Sequence, residues 1–134
     1  MMVSNRTYGK DYKHMLSERE ERWNNFISDV CNRDESTLSD IQKKAVLCFW
    51  YDAEMNSGGF CGYQDNYQDT DLKELESALR EIANDSVADN LCKAISDGED
   101  DDWQETDMAF YQFEPSLTTF IEEYVEANKD VIFD

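Results

Sequence analysis

Residues 39–55, Ser39-Asp40-Ile41-Gln42-Lys43-Lys44-Ala45-Val46-Leu47-Cys48-Phe49-Trp50-Tyr51-Asp52-Ala53-Glu54-Met55, decide the fold. Ser39 followed by Gln42 is a capping box, in which each side chain satisfies the other residue's free backbone N–H, so a helix opens there. Beyond it Ala45, Val46, Leu47, Cys48, Phe49, Trp50, Tyr51 and Ala53 are apolar nearly all round the helix. So wide an apolar surface belongs at the centre of a core, and Phe49 and Trp50 are expected to be largely buried. The helix stops at Asn56-Ser57-Gly58-Gly59, where glycine can take the left-handed conformation that closes a helix.

The rest of the chain reads as helices packed on this one. Trp23, Phe26, Ile27, Val30 and Cys31 recur at three-four spacing and predict a helix within residues 11–32, its other face solvated by Glu18, Arg19, Glu21 and Arg22. Residues 32–37 read as a connection. Phe60 to Tyr67 is aromatic and polar without clear period. Thr70 is placed to cap a helix reaching about Ala83, with Leu72, Leu75, Ala78, Leu79 and Ile82 on one face. Ser86 is placed to cap the next, with Val87, Leu91 and Ile95 inward. After an acidic turn at residues 97–102, Met108, Phe110, Tyr111 and Phe113 suggest a short packed element. Pro115 suits the first turn of a last helix that buries Leu117, Phe120, Ile121, Tyr124 and Val125 and leaves Glu122, Glu123, Glu126 and Asp130 to water. No stretch alternates with a period of two for long, and no long repeat appears. The expectation is one all-α domain over residues 1–134, with five to seven helices around the apolar helix from Ser39.

The chain has 134 residues, 31 Asp plus Glu against 12 Lys plus Arg, and a formal charge of −19. The charge is lopsided: residues 1–67 carry 8 basic and 11 acidic side chains, and residues 68–134 carry 4 and 20. Such a field repels phosphate backbones and anionic lipid, so no direct nucleic-acid or membrane partner is expected. The natural electrostatic partners are basic proteins or cations. No run approaches the ~18 to 20 apolar residues of a membrane span, and the polar start shows no signal-peptide pattern, so a cytoplasmic address is expected.

Catalytic and metal chemistry find little to work with. His14 is the single histidine, with no Cys or Ser set beside it by local spacing. Cys31, Cys48, Cys61 and Cys92 form no close pair, so neither zinc nor a disulfide framework is expected, and all four read as buried or half-buried thiols. Loops starting at Asp65 or Asp97 fail the calcium-loop pattern, which needs glycine at the sixth position. No catalytic residue, cofactor or metal is assigned.

The acidic residues themselves are the remaining signal. Residues four apart on a helix rise by roughly 6 Å along one face, an interval comparable to that between successive phosphates of a strand. Glu122, Glu126 and Asp130 read as one such line, Glu74, Glu81 and Asp85 lie near another, and Asp100, Asp101 and Asp102 add a cluster. Carboxylates held at that pitch would present a counterfeit backbone to a DNA-binding protein.

The stretch from Trp50 to Phe60 resembles the signature of the bacterial DNA-mimic-protein-like family, a domain long catalogued as of unknown function. The resemblance rests on an aromatic-rich helix, then Glu54 with Gly58, Gly59 and Phe60, then Tyr63 with Asn66, and Ala78-Leu79 with Ile82. It covers roughly residues 38–128, and Ala83 stands where the family usually has glycine. It implies an all-helical fold and, from the member that names the family, imitation of DNA toward a partner such as a transcription regulator. Trp50, Glu54, Asn56, Gly58, Gly59, Phe60 and Asn66 read as a structural motif, with Glu54 accepting from the loop's backbone N–H groups. Two alternatives stand beside mimicry: an immunity or inhibitor protein against a basic toxin, and a small-ligand protein or enzyme whose pocket joins Glu54 or Asp52 to Tyr63, Asn56 or Asn66.

Overall fold

The computed structural model describes residues 17–134, and among these the chain is helical with no strand. Eight α-helices follow in order: α1 (Glu18–Ser28), α2 (Asp40–Met55), α3 (Gly59–Asn66), α4 (Leu72–Ile82), α5 (Asp85–Asp97), α6 (Gln104–Tyr111), α7 (Leu117–Ala127) and α8 (Lys129–Ile132). Short 3₁₀ turns at Val30–Asn32, Glu35–Thr37 and Gly98–Asp101 join them. The count exceeds the expected five to seven because the aromatic stretch after Gly58 is a helix and the last helix breaks at Asn128. The first part of the expected N-terminal helix, and His14, lie outside the described residues.

Capping explains the boundaries. Ser17 and Glu20 form a reciprocal box that opens α1, and Ser39 and Gln42 form the one read for α2. Two starts differ from expectation. Asp71 rather than Thr70 caps α4, because its carboxylate accepts from both Lys73 and Glu74 N–H. Asn84 rather than Ser86 caps α5, with its Oδ1 on Val87 N–H. Ser116 caps α7, which leaves Pro115 just outside the helix rather than in its first turn.

Helix α2 packs against α3, α4, α7 and α8, α1 lies along α7, and α5 sits between α4 and α6. The fully buried side chains include Phe26, Tyr51, Met55, Phe60, Leu75, Leu79, Leu91, Leu117, Ile121 and Ile132. Burial along α2 is one-sided, through Gln42, Ala45, Cys48, Tyr51, Asp52 and Met55. Phe49 and Trp50 are only half-buried, against the expectation, because they join an aromatic layer beneath α1 rather than the inner core. Phe49 meets Trp23, Phe26 and Trp50 edge-on at 6.0, 5.9 and 5.1 Å, and Trp50 stacks on Tyr67 at 6.3 Å. Three other side chains expected in packed positions face outward: Ile95 is exposed on α5, and Met108 and Tyr111 on α6. Cys31 and Cys48 are buried and Cys92 half-buried, but Cys61 is exposed on α3.

Candidate functional site

The family-like motif builds a joint between α2, α3 and α6. Gly59 has φ +70°, a backbone that side chains rarely adopt, and a Cβ there would be driven into the Asp107 carboxylate. That carboxylate accepts from the Phe60 N–H at 3.0 Å, so a residue of α6 caps the first turn of α3. Phe60 is fully buried and its ring lies 5.8 Å from that of Trp103. Glu54 departs from expectation. Its carboxylate accepts not from loop N–H groups but from the Asn66 side-chain amide at 3.1 Å, closing the far end of α3 back onto α2. Asn56 donates to the Asp52 carbonyl at 2.8 Å and to its carboxylate at 3.1 Å. Sequence reading overlooked Asp107, since nothing in local spacing links it to a turn 47 residues earlier.

Asp52 is buried where α2 meets α7, and Thr118 Oγ1 donates to it. Burial pushes its carboxyl above the usual carboxylate range, against the opposing hydrogen bonds from Thr118 and Asn56. The small-ligand reading needs Asp52 or Glu54 in a cavity. An aromatic cleft of about 230 Å³ has Leu47, Trp50, Tyr63, Tyr67, Arg33 and Lys43 in its lining and neither carboxylate. Asp52 and Glu54 are both engaged in joining helices. Among the described residues no group of three or more His, Cys, Asp or Glu is arranged to hold a metal ion.

The acidic residues divide into two populations. Lys43 binds Glu74 and Glu35, both at 3.1 Å, and Lys44 binds Glu81 at 2.9 Å. Arg80 gathers Glu76, Asp85 and Asp89 at 2.8 to 3.0 Å. On α7, Arg19 holds Glu123 at 2.8 Å, and Arg22 holds both oxygens of Glu126 at 2.7 and 2.8 Å. With Arg33 on Asp29 and Lys93 on Glu105, seven cations are spent on carboxylates of the same chain. Lys73 and Lys129 alone of the described cations make no such pair.

This pairing corrects the two expected lines of charge. Glu126 is not left to water: its side chain is 18% exposed and its carboxyl is held below the usual range by the Arg22 guanidinium. Asp130 lies on α8, beyond the break at Asn128, so Glu122, Glu126 and Asp130 do not form one helical row. Likewise α4 ends at Ile82, which puts Asp85 on the next helix, apart from Glu74 and Glu81. Of the nine acidic residues singled out, Glu74, Glu81, Asp85 and Glu126 are paired with cations. Asp100, Asp101, Asp102, Glu122 and Asp130 have no ion-pair partner among the described residues, and the first three lie together.

That cluster is a built pole. Asp97, Glu99, Asp100, Asp101 and Asp102 surround the 3₁₀ turn at Gly98–Asp101, and all five are exposed. The turn is fastened from below by Trp103, whose indole N–H donates to the Ala94 carbonyl at 2.9 Å and whose backbone N–H donates to the Gly98 carbonyl at 2.7 Å. Asp102 and Trp103 both take left-handed backbones, φ 58° and 59°. Gly98 is buried under the indole, which leaves no room for a Cβ. Asp101 Oδ2 caps α6 by accepting from the Glu105 N–H at 3.0 Å. A depression of about 360 Å³ opens between Asp97, Asp100, Asp101, Glu105 and Lys93.

Helices locked by a glycine–aspartate joint, with a cluster of exposed carboxylates that no described cation pairs, define an acidic all-helical protein. The chain belongs to the DMP19-like protein family, whose model matches residues 36–128. No curated protein and no solved structure matches it. No helix among the described residues is long and apolar enough to cross a membrane.

Proposed function

We propose that this protein is a noncatalytic acidic binding protein, a DNA mimic that occupies the DNA-contacting face of a basic partner such as a transcription regulator. The observation that carries the reading is the split between paired and unpaired carboxylates. Cations of the chain neutralise most of α4, α5 and α7, while five carboxylates at residues 97–102 stay exposed with no ion-pair partner among the described residues. A surface serving solubility alone has no need of such a division, whereas a ligand for a basic site gains both steering and specificity from it. Membership in a DNA-mimic family supports the same reading. Engagement of Asp52 and Glu54 in joining helices supports the noncatalytic part.

The experiment is affinity capture from the native cytosol at low salt, followed by DNA competition on the purified pair. The expected outcome is a basic DNA-binding protein that releases its DNA when this protein is added. Capture of a toxin whose activity is blocked would move the assignment to an immunity protein. Absence of any basic partner would remove both.

A further inference from the structure

Helix α6 presents an outward face on which two large side chains stand exposed. Gln104, Met108 and Tyr111 recur at the four-three spacing of a single helical stripe and are all exposed, Met108 at 62% and Tyr111 at 60%. The stripe starts where the acidic turn ends. With a rise of roughly 1.5 Å per residue, Met108 lies about 6 Å along the axis from Gln104, the second residue after the acidic turn.

The helix itself is fastened to its neighbours at three points. Asp107 caps α3 through the Phe60 N–H, Asn90 Nδ2 donates to the Thr106 carbonyl at 3.1 Å, and Tyr111 OH donates to the Met55 carbonyl at 3.0 Å. The Tyr111 ring is therefore exposed yet anchored at its far end. An exposed aromatic side chain normally loses rotamer freedom when a partner covers it; this one has already lost it. Methionine and tyrosine are enriched at the buried centre of protein interfaces, while carboxylates belong at the rim. Here the stripe follows directly on the carboxylates along the chain.

We infer that the α6 stripe of Met108 and Tyr111, together with the carboxylates of residues 97–102, is the surface that meets the partner. This rests on the proposed function and adds to it an apolar anchor. Charge fixes the kind of occupant. A second copy would bring two carboxylate poles together, so the fitting occupant is a basic amphipathic helix, with cations toward residues 97–102 and an apolar side chain against Met108 and Tyr111. The glycine–aspartate joint then acquires a purpose: it sets the angle at which α6 offers this face.

The test uses the whole chain and two defined probes, a synthetic amphipathic lysine–leucine helix and polylysine of matching charge. Titrations of isotope-labelled protein should shift the Met108 methyl and the α6 amides with the lysine–leucine helix. Met108→Ser, at an exposed site that leaves the melting temperature unchanged, should weaken that peptide about tenfold and leave polylysine binding as it was. Tyr111→Phe keeps the ring, frees its far end and should give a smaller loss. The inference is overturned if Met108→Ser binds both probes like the parent, if the shifts fall on α4 and α7 instead, or if the unliganded protein self-associates through Met108. Its failure is separable from that of mimicry. A protein that displaces DNA from a regulator equally well with serine at position 108 retains the function and loses only this anchor.

Discussion

At position 59 a single hydrogen atom in place of a methyl group lets three helices meet. Gly59→Ala would force a strained backbone and drive its Cβ into the Asp107 carboxylate that caps α3, so the expected cost is about 2 to 4 kcal/mol in urea unfolding. Asp107→Ala leaves the turn sterically free and removes only the cap, which should cost about 1 kcal/mol. Two carboxylates near α7 make a contrasting pair. Asp52 has a raised pKa in the folded protein, so folding binds its proton more tightly and stability falls as pH rises from the unfolded carboxyl range through the folded value. Glu126 has a lowered one, so its contribution is present above the unfolded range and is lost as pH falls through the folded value. Urea midpoints measured across acid pH should show Asp52→Asn gaining on the parent as pH rises, since the amide has no charge to desolvate where the parent buries an ionised carboxylate. Glu126→Gln should lose ground over the same rise.

At the scale of helices, the sequence was readable wherever a signal was local. The Ser39–Gln42 box, the three-four stripes of α4 and α7 and the acidic turn all appear where periodicity and capping chemistry put them. What escaped was the product of contacts distant in sequence. Met108 and Tyr111 look like core residues because hydrophobicity cannot tell an inward stripe from an outward one on an eight-residue helix. The expected rows of charge failed for a similar reason, since a helix face shows its carboxylates but not the arginine on another helix that will cover them. The paired and unpaired groups should therefore behave differently in binding. Asp100→Asn with Asp102→Asn should weaken a basic partner strongly, and asparagine suits the left-handed backbone at 102. Glu122→Gln with Glu126→Gln should weaken it less, because Glu126 already faces Arg22. Glu18→Gln with Glu21→Gln on α1 should change little. Equal effects from all three pairs, read by calorimetry, would leave the charge acting only as a diffuse field.

For the molecule as a whole, a charge of −19 means that salt acts on stability and binding in opposite directions. Ions screen the mutual repulsion of the carboxylates, so the melting temperature should rise with salt. The same ions compete at the partner's basic site, so affinity should fall steeply over that range. If both quantities rise together, charge is not what holds the complex. The anchoring of Trp103 under the acidic turn bears on how such a complex would be observed. Its indole is pinned between Ala94 and Gly98 directly below the carboxylates, while Trp23 and Trp50 belong to the aromatic layer beneath α1. With phenylalanine at positions 23 and 50, the remaining emission would come from one fluorophore built into the floor of the acidic cluster. Arrival of a partner could then be timed by its colour, with no label attached to either protein.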